Sequence, residues 1–114
     1  MANETKEFFE KFKKDMGKMK ELAADTVQGF SAMFSKIMKD GALGLKEKEL
    51  IAMAIGVTQR CKPCIRLHVQ KCLEAGATKE QILEAASVAV MMGGGPAYTH
   101  IPVVIDALEA LQVG

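Results

Sequence analysis

Apolar residues recur at helical spacing along almost the whole chain, and this periodicity limits the folds that the sequence can adopt. Positions i, i+3, i+4 and i+7 are apolar in one segment after another, the pattern of a helix with one buried face. Strand signals are scarce, because the chain has no Trp, one Tyr and few clusters of β-branched residues. The segments predicted as helices are residues 8–22, 27–38, 46–57, 63–76, 82–92 and 96–111. The sequence therefore predicts an all-α fold of about six helices.

Local signals mark where several of these helices begin and end. Thr78 and Gln81 match the capping box, in which each side chain binds the backbone amide of the other residue. Gly76 suits the position that follows a helix, and Pro96 suits the first turn of the last one. No linker or internal repeat divides the 114 residues. We therefore expect a single domain over residues 1–114.

Composition and charge exclude several classes of function. Lys and Arg number 15 against 14 for Asp and Glu, so the chain lacks the strong positive charge that binds nucleic acid or anionic membranes. No apolar run reaches the roughly 18–20 residues that a membrane-spanning helix needs. The N-terminal segment is polar from its first residues, unlike a secretory signal. We expect a cytoplasmic protein with no nucleic-acid and no membrane partner.

The last two predicted helices have almost no polar face. Ala, Val and Met fill most of residues 85–92, and Ile, Val and Leu dominate residues 101–111. A helix that is apolar on all sides must be covered on all sides, and a chain of this length has few elements that can cover it. We therefore predict a homo-oligomer, because obligate interfaces resemble a core cut in half.

Cys61 and Cys64 form a close pair with two residues between them. In a reducing compartment such a pair is more often catalytic or metal-binding than structural. Pro63 is tolerated only in the first turn of a helix, so it places the pair at a helix start. Unpaired backbone N–H groups and the positive end of the helix dipole favour a thiolate there. Further positive charge comes from Arg60, Lys62 and Arg66.

A histidine and a glutamate accompany the pair. His68 follows Cys64 by four residues, so the two side chains share a helix face. An imidazole titrates near neutral pH and can take the thiol proton and later return it. Glu49 lies on the preceding predicted helix, and a helix–turn–helix return could bring it against His68. Its carboxylate would then orient the imidazole and stabilise the charged form.

Zinc binding is an alternative interpretation of the same residues. Cys61, Cys64 and His68 could supply three of the four ligands that a structural zinc site needs, with Glu49, Cys72 or His100 as the fourth. The second Cys or His pair of most structural zinc modules is absent. Cys72 continues the same helix face and is either a third redox thiol or a buried core residue, which free cysteines commonly are. His100 belongs to no motif, and we expect a surface or interface residue.

The four residues together resemble the motif of the alkyl hydroperoxidase D-like group, in the carboxymuconolactone decarboxylase superfamily. The matching order is Glu49, eleven residues, Cys61, two residues, Cys64, three residues and His68. The surrounding sequence also resembles that of this group, in the segments LKEKELIAMAIGV, HVQKCLEAGATKEQILEA and MMGGGPAY. The resemblance covers roughly residues 25–112.

This resemblance implies an all-α domain that assembles into trimers or hexamers. It also implies that Cys64 attacks a peroxide, that Cys61 closes the disulfide, and that Glu49 and His68 move the protons. Alkyl hydroperoxidase D itself is longer and has a histidine where this chain has Pro63, so its own substrate and reductant are not carried over. Nor is decarboxylation, because the decarboxylases of the superfamily are not built around this cysteine pair.

The sequence thus predicts a thiol-dependent peroxide reductase, an antioxidant oxidoreductase that needs no bound cofactor or metal. Its substrate would be a hydroperoxide, and its reductant a dithiol or a protein. The alternatives are a protein-disulfide reductase or redox sensor, which would use the same residues, and a zinc-binding interaction protein.

Overall fold

Six long helices and one short helix make up the computed structural model, which describes residues 3–112. The helices are α1 (Glu4–Leu22), α2 (Ala24–Ile37), α3 (Leu45–Thr58), α4 (Lys62–Glu74), α5 (Lys79–Gly93), α6 (Gly95–Tyr98) and α7 (Ile101–Leu111). No strand occurs within residues 3–112. The predicted all-α fold is confirmed.

The core lies between α3, α4, α5 and α7, each of which contributes one apolar face. The largest fully buried apolar side chains are Met53 and Val57 of α3, Ile65 and Val69 of α4, Ile82 of α5 and Val104 of α7. The first two helices lie outside this core. α2 contributes no buried residue at all. The unit that carries the cysteine pair is therefore supported by four helices, whereas α2 rests on its outside.

The predicted last helix is divided into α6 and α7 by a turn at Thr99 and His100. Pro102 explains the break. A continuous helix would need an amide at residue 102 to bind the carbonyl of Tyr98, and proline has no N–H and clashes with that carbonyl. The chain instead turns, and Pro102 lies in the first turn of α7. Pro96, which the sequence predicts in the first turn of the last helix, lies in the first turn of α6.

Both ends of the α4–α5 connection agree with the sequence. The Thr78 hydroxyl accepts from the Gln81 amide at 3.1 Å, and the Gln81 side chain accepts from the Thr78 amide at 3.0 Å. Gly76 has φ +92°, a conformation that favours glycine. The capping box therefore fixes where α5 begins.

Polar contacts attach the start of α1 to α7 and α4. The buried Thr5 hydroxyl donates to Asp106 at 2.6 Å, and the Thr5 amide donates to the same carboxylate oxygen at 3.1 Å. Asn3 donates to the Asp106 carbonyl at 3.2 Å. The Arg66 guanidinium of α4 contacts Glu4 at 3.3 Å and lies over the ring of Phe8. The N-terminal helix is thus held mainly at its first turns.

Gly56 allows α3 to approach the start of α4 closely. A Cβ atom at residue 56 would lie 3.2 Å from the Cβ of Cys64 and 3.4 Å from the backbone nitrogen of Ile65. Both neighbours belong to the first turn of α4 and have little freedom to move aside. The small residue therefore sets the distance between the two helices at the cysteine pair.

We expect Gly56→Ala to lower the free energy of unfolding. Overpacking costs about 1–3 kcal/mol, and the middle of this range exceeds the roughly 1 kcal/mol that alanine gains over glycine in a helix. Gly29→Ala is the matched control, because it lies within α2 with no atom within 4 Å of its added Cβ and should gain up to about 1 kcal/mol. Urea unfolding of the two oxidised variants measures both effects. A Gly56→Ala protein as stable as the parent would contradict the tight contact.

Several large apolar side chains remain exposed on the single chain. On the last helices these include Met91, Met92 and Tyr98, which are 70%, 75% and 67% exposed. None of the helices within residues 3–112 is long and apolar enough to cross a membrane.

Candidate active site

The two cysteines of the pair are joined as a disulfide at the start of α4. Cys61 is the N-cap residue, and Pro63 lies in the first turn. The Cys64 amide donates to the sulfur of Cys61 at 3.2 Å, while the Cys61 amide donates to the Gly56 carbonyl at 3.0 Å. The sequence predicts only that the pair lies at a helix start. The structure assigns Cys61 to the cap, where a thiolate formed on reduction would meet an N–H donor and the positive end of the dipole.

The three basic residues that the sequence suggests near the pair differ in exposure and in contacts. Lys62 is exposed at the start of α4, and Arg60 is exposed in the preceding turn with φ 56°. Arg66, by contrast, is buried and contacts Glu4 on α1. Two residues along a helix amount to about 200° of rotation, so Arg66 points away from the face of Cys64. Its guanidinium is paired with Glu4, so its charge supports the attachment of α1.

Glu49 and His68 meet across the α3–α4 interface. The Nδ1 atom of His68 lies 2.6 Å from Oε1 of Glu49. Glu49 is 3% exposed, and the side chain of His68 is 18% exposed. The antiparallel return between α3 and α4 brings the carboxylate to the imidazole, the arrangement that the sequence suggested.

This contact fixes the roles of the two imidazole nitrogens. An ionised carboxylate can only accept a hydrogen bond, so when Glu49 is ionised, Nδ1 of His68 carries the hydrogen and donates to it. In the neutral imidazole Nε2 is then the acceptor. Cys64 lies one helical turn before His68 on the same face of α4. The arrangement can therefore take a proton from a sulfur group at Nε2 and stabilise the resulting imidazolium through Glu49.

An aromatic side chain of α2 lies beside His68 and was not identified from the sequence. The ring of Phe34 lies nearly parallel to the imidazole of His68, with centroids 6.2 Å apart and planes at 25°. Lys71 of α4 places its ammonium 5.1 Å from the centroid of the Phe34 ring. In the sequence Phe34 is one of several apolar residues on the second helix, and no pattern distinguishes it from the others.

Cys72 lies in the core and is completely buried. Burial, and secondly the nearby charge of Glu49, raises the pKa of its thiol to about 12. A neutral, inaccessible thiol is a poor nucleophile. Of the two interpretations from the sequence, the structure favours the core residue over the third redox thiol.

We expect Cys72 to resist alkylation in the reduced, folded protein at pH 8. Iodoacetamide should label Cys61 and Cys64 but reach Cys72 only after unfolding in urea, as measured by peptide mass spectrometry. The folded chain raises the pKa of Cys72 above its ordinary value of 9.0. The contribution of the neutral Cys72 thiol to the free energy of unfolding is therefore fully present below pH 9. It should be lost as the pH rises towards 12. Labelling of all three cysteines at one rate would contradict this burial.

His100 does not join the site. Its Nδ1 atom lies 2.7 Å from the Pro96 carbonyl, so the side chain closes the turn between α6 and α7. Among residues 3–112 no group of three or more His, Cys, Asp or Glu side chains is arranged to hold a metal ion.

Known proteins are similar to this chain in sequence and in fold. The model of the carboxymuconolactone decarboxylase family matches residues 24–107. An uncharacterised protein of the cox locus of Paracoccus denitrificans is 35% identical over 97 residues, which cover 85% of this chain and 87% of that protein.

Two crystal structures are also similar. A carboxymuconolactone decarboxylase family protein from Legionella pneumophila has a TM-score of 0.91 and 34% identity, and the match covers 96% of this chain and 98% of that one. A family protein from Thermotoga maritima, named with a suspected part in an antioxidative response, has a TM-score of 0.70 and 32% identity over 75% of this chain and 89% of that one.

Proposed function

The chain belongs to the carboxymuconolactone decarboxylase family, and from this premise we propose that it is a thiol-dependent peroxide reductase. One observation carries the proposal: a disulfide at the start of α4 lies one turn from an imidazole that is hydrogen-bonded to a buried carboxylate. Thiol chemistry needs a sulfur pair that opens and closes and a group that moves protons. The antioxidative role suspected for the relative from Thermotoga maritima agrees with this chemistry.

The proposed oxidative steps use the two cysteines in turn. The Cys64 thiol loses its proton to Nε2 of His68, and the thiolate attacks the O–O bond of a hydroperoxide. A sulfenic acid forms at Cys64, and the imidazolium protonates the departing alkoxide to an alcohol. The Cys61 thiol then condenses with the sulfenic acid, which forms the disulfide and releases water.

The reductive step needs an external dithiol. His68 takes the proton of one donor thiol, and the resulting thiolate attacks the sulfur of Cys61 and forms a mixed disulfide. Cys64 leaves as a thiolate and takes that proton from the imidazolium of His68. The second thiol of the donor then displaces Cys61, which restores both cysteines and oxidises the donor. Glu49 serves throughout by holding Nδ1 of His68 and stabilising the charged imidazole.

Two further expectations from the sequence stand as proposals. The exposed Met91, Met92 and Tyr98 support a homo-oligomer, a trimer or a hexamer, which light scattering at micromolar concentration would test. We also propose a cytoplasmic location, because the reducing thiols of the cytoplasm can reopen the disulfide so that the pair can react again.

Stopped-flow measurement of peroxide reduction tests the activity directly. The reduced protein should consume one equivalent of hydroperoxide rapidly and form the Cys61–Cys64 disulfide, and a dithiol should sustain turnover. Slow oxidation by peroxide together with fast exchange with protein disulfides would replace the peroxidase with a disulfide reductase or a sensor. Metal analysis of protein purified without chelator tests the zinc alternative.

A further inference from the structure

We propose that Phe34 is a positioning residue, whose ring holds the plane of the His68 imidazole and shields the imidazole from water. The proposal rests on the proposed function, because it concerns the group that moves protons for Cys64. It adds to that function a residue from α2, the helix that contributes nothing to the core.

The orientation of Phe34 distinguishes it from its neighbours on α2. Phe30, Met33 and Ile37 are 58%, 50% and 56% exposed, whereas Phe34 is half-buried against the imidazole. A centroid separation of 6.2 Å and an angle of 25° lie within the range of favourable aromatic contacts. The ring is therefore the part of α2 that reaches the site.

A cavity lies beside the site. Its volume is about 200 Å³, and its walls include Phe34, Met38, Glu49 and Lys71 but not His68. The ring of Phe34 therefore borders this space and also lies beside the imidazole. A space of this size holds several water molecules, and loss of the ring would open it to His68.

The hydrogen bond to Glu49 does not by itself immobilise the imidazole. It fixes one edge of the ring at Nδ1, but the ring can still tilt about that bond, and water can compete for the carboxylate. A flat group against the imidazole face restricts the tilt, and a drier surrounding strengthens the bond. Nε2 then stays directed to the helix face that it shares with Cys64.

Lys71 holds the Phe34 ring in turn. Its ammonium lies 5.1 Å from the ring centroid, within the distance of a cation–π contact. Lys71 and His68 both belong to α4, so Phe34 is held by the same helix whose imidazole it orients. The three side chains thereby form a continuous set of contacts at the outer edge of the site.

The test combines three substitutions at Phe34. Phe34→Ala should slow the oxidation of the reduced protein by hydroperoxide about tenfold, with KM for the peroxide nearly unchanged, because small misplacement of a reacting group is costly. Phe34→Leu keeps most of the apolar volume and should fold, yet it lacks the flat face and should also be slow. Phe34→Tyr should restore most of the rate. The proposal is overturned if Phe34→Leu is as fast as the parent.

The matched control is Phe30→Ala, the same change one turn earlier on α2. The ring of Phe30 contacts Phe34 but is 58% exposed, and we expect its loss to change the rate less than about twofold. An equal loss of rate in Phe30→Ala would assign the effect to the packing of α2 and overturn the specific role of Phe34.

A second measurement does not depend on turnover. In ¹⁵N-histidine-labelled protein the Nδ1 proton of His68 should exchange slowly with water in the parent and in Phe34→Tyr, and rapidly in Phe34→Ala and Phe34→Leu. Slow exchange in a protein that reduces no peroxide would leave the positioning role intact and refute the proposed function. Unchanged exchange in Phe34→Ala would refute the positioning role while an active enzyme kept the function.

Discussion

Replacing Cys64 with serine should abolish peroxide consumption, whereas replacing Cys61 should stop the reaction after one oxidation. The difference follows from the position of His68, which lies one turn after Cys64 on α4 and can take its proton. A serine at residue 64 cannot form a sulfenic acid. A serine at residue 61 cannot condense with one, so Cys61→Ser should leave a sulfenic acid at Cys64.

Stopped-flow peroxide consumption and dimedone trapping with peptide mass spectrometry measure the two outcomes. Cys72→Ala is the matched control: its thiol is buried and neutral, so the variant should keep the rate of the parent even if it loses some stability. Dimedone on Cys61 in the Cys64→Ser protein, with peroxide still consumed, would reverse the assignment of the two sulfurs.

Removing either member of the Glu49–His68 pair should give the next largest loss of activity. His68→Gln keeps polar volume but cannot transfer a proton, and general acid–base catalysis contributes about 100-fold to 10,000-fold. Glu49→Gln can still accept a hydrogen bond but carries no charge to stabilise the imidazolium, so its loss should be smaller. Because the two residues act as one unit, the double variant should be no slower than His68→Gln alone.

The second histidine provides the control for this experiment. His100→Gln makes the same substitution at the turn between α6 and α7, where Nδ1 of His100 binds the Pro96 carbonyl. The peroxidase rate of this variant should match that of the parent. Additive losses in the Glu49 and His68 double variant, measured by stopped flow, would show that the residues act separately.

Much of the fold could be predicted from the sequence because its signals are local. Apolar spacing, the Thr78 capping box and Gly76 all act within a few residues, and the helices follow them. Pro102 is also local, yet the apolar pattern on both sides of it suggested one continuous helix. The break follows from the missing amide at residue 102, which periodicity does not register.

The candidate site divides in the same way. Cys61, Cys64 and His68 lie on one helix start, so their spacing alone predicts that they are neighbours. The contact of Glu49 with His68 needed only a short return between two helices. Phe34 reaches the site through the placement of α2, which rests on few contacts, and no spacing within the chain indicates it. The contact of Arg66 with Glu4 on α1 joins residues 62 positions apart, and no local spacing indicates it.

The attachment of Thr5 to Asp106 has a consequence for the order of folding. These partners are 101 residues apart in the chain, whereas α3 and α4 are joined by a turn of a few residues. Closing a long loop costs more entropy than closing a short one, and contacts between distant residues form slowly. We therefore expect the α3–α4 hairpin to form first and α1 to dock late. In hydrogen-exchange measurements, the backbone amides of the N-terminal helix should exchange much faster than those around the disulfide.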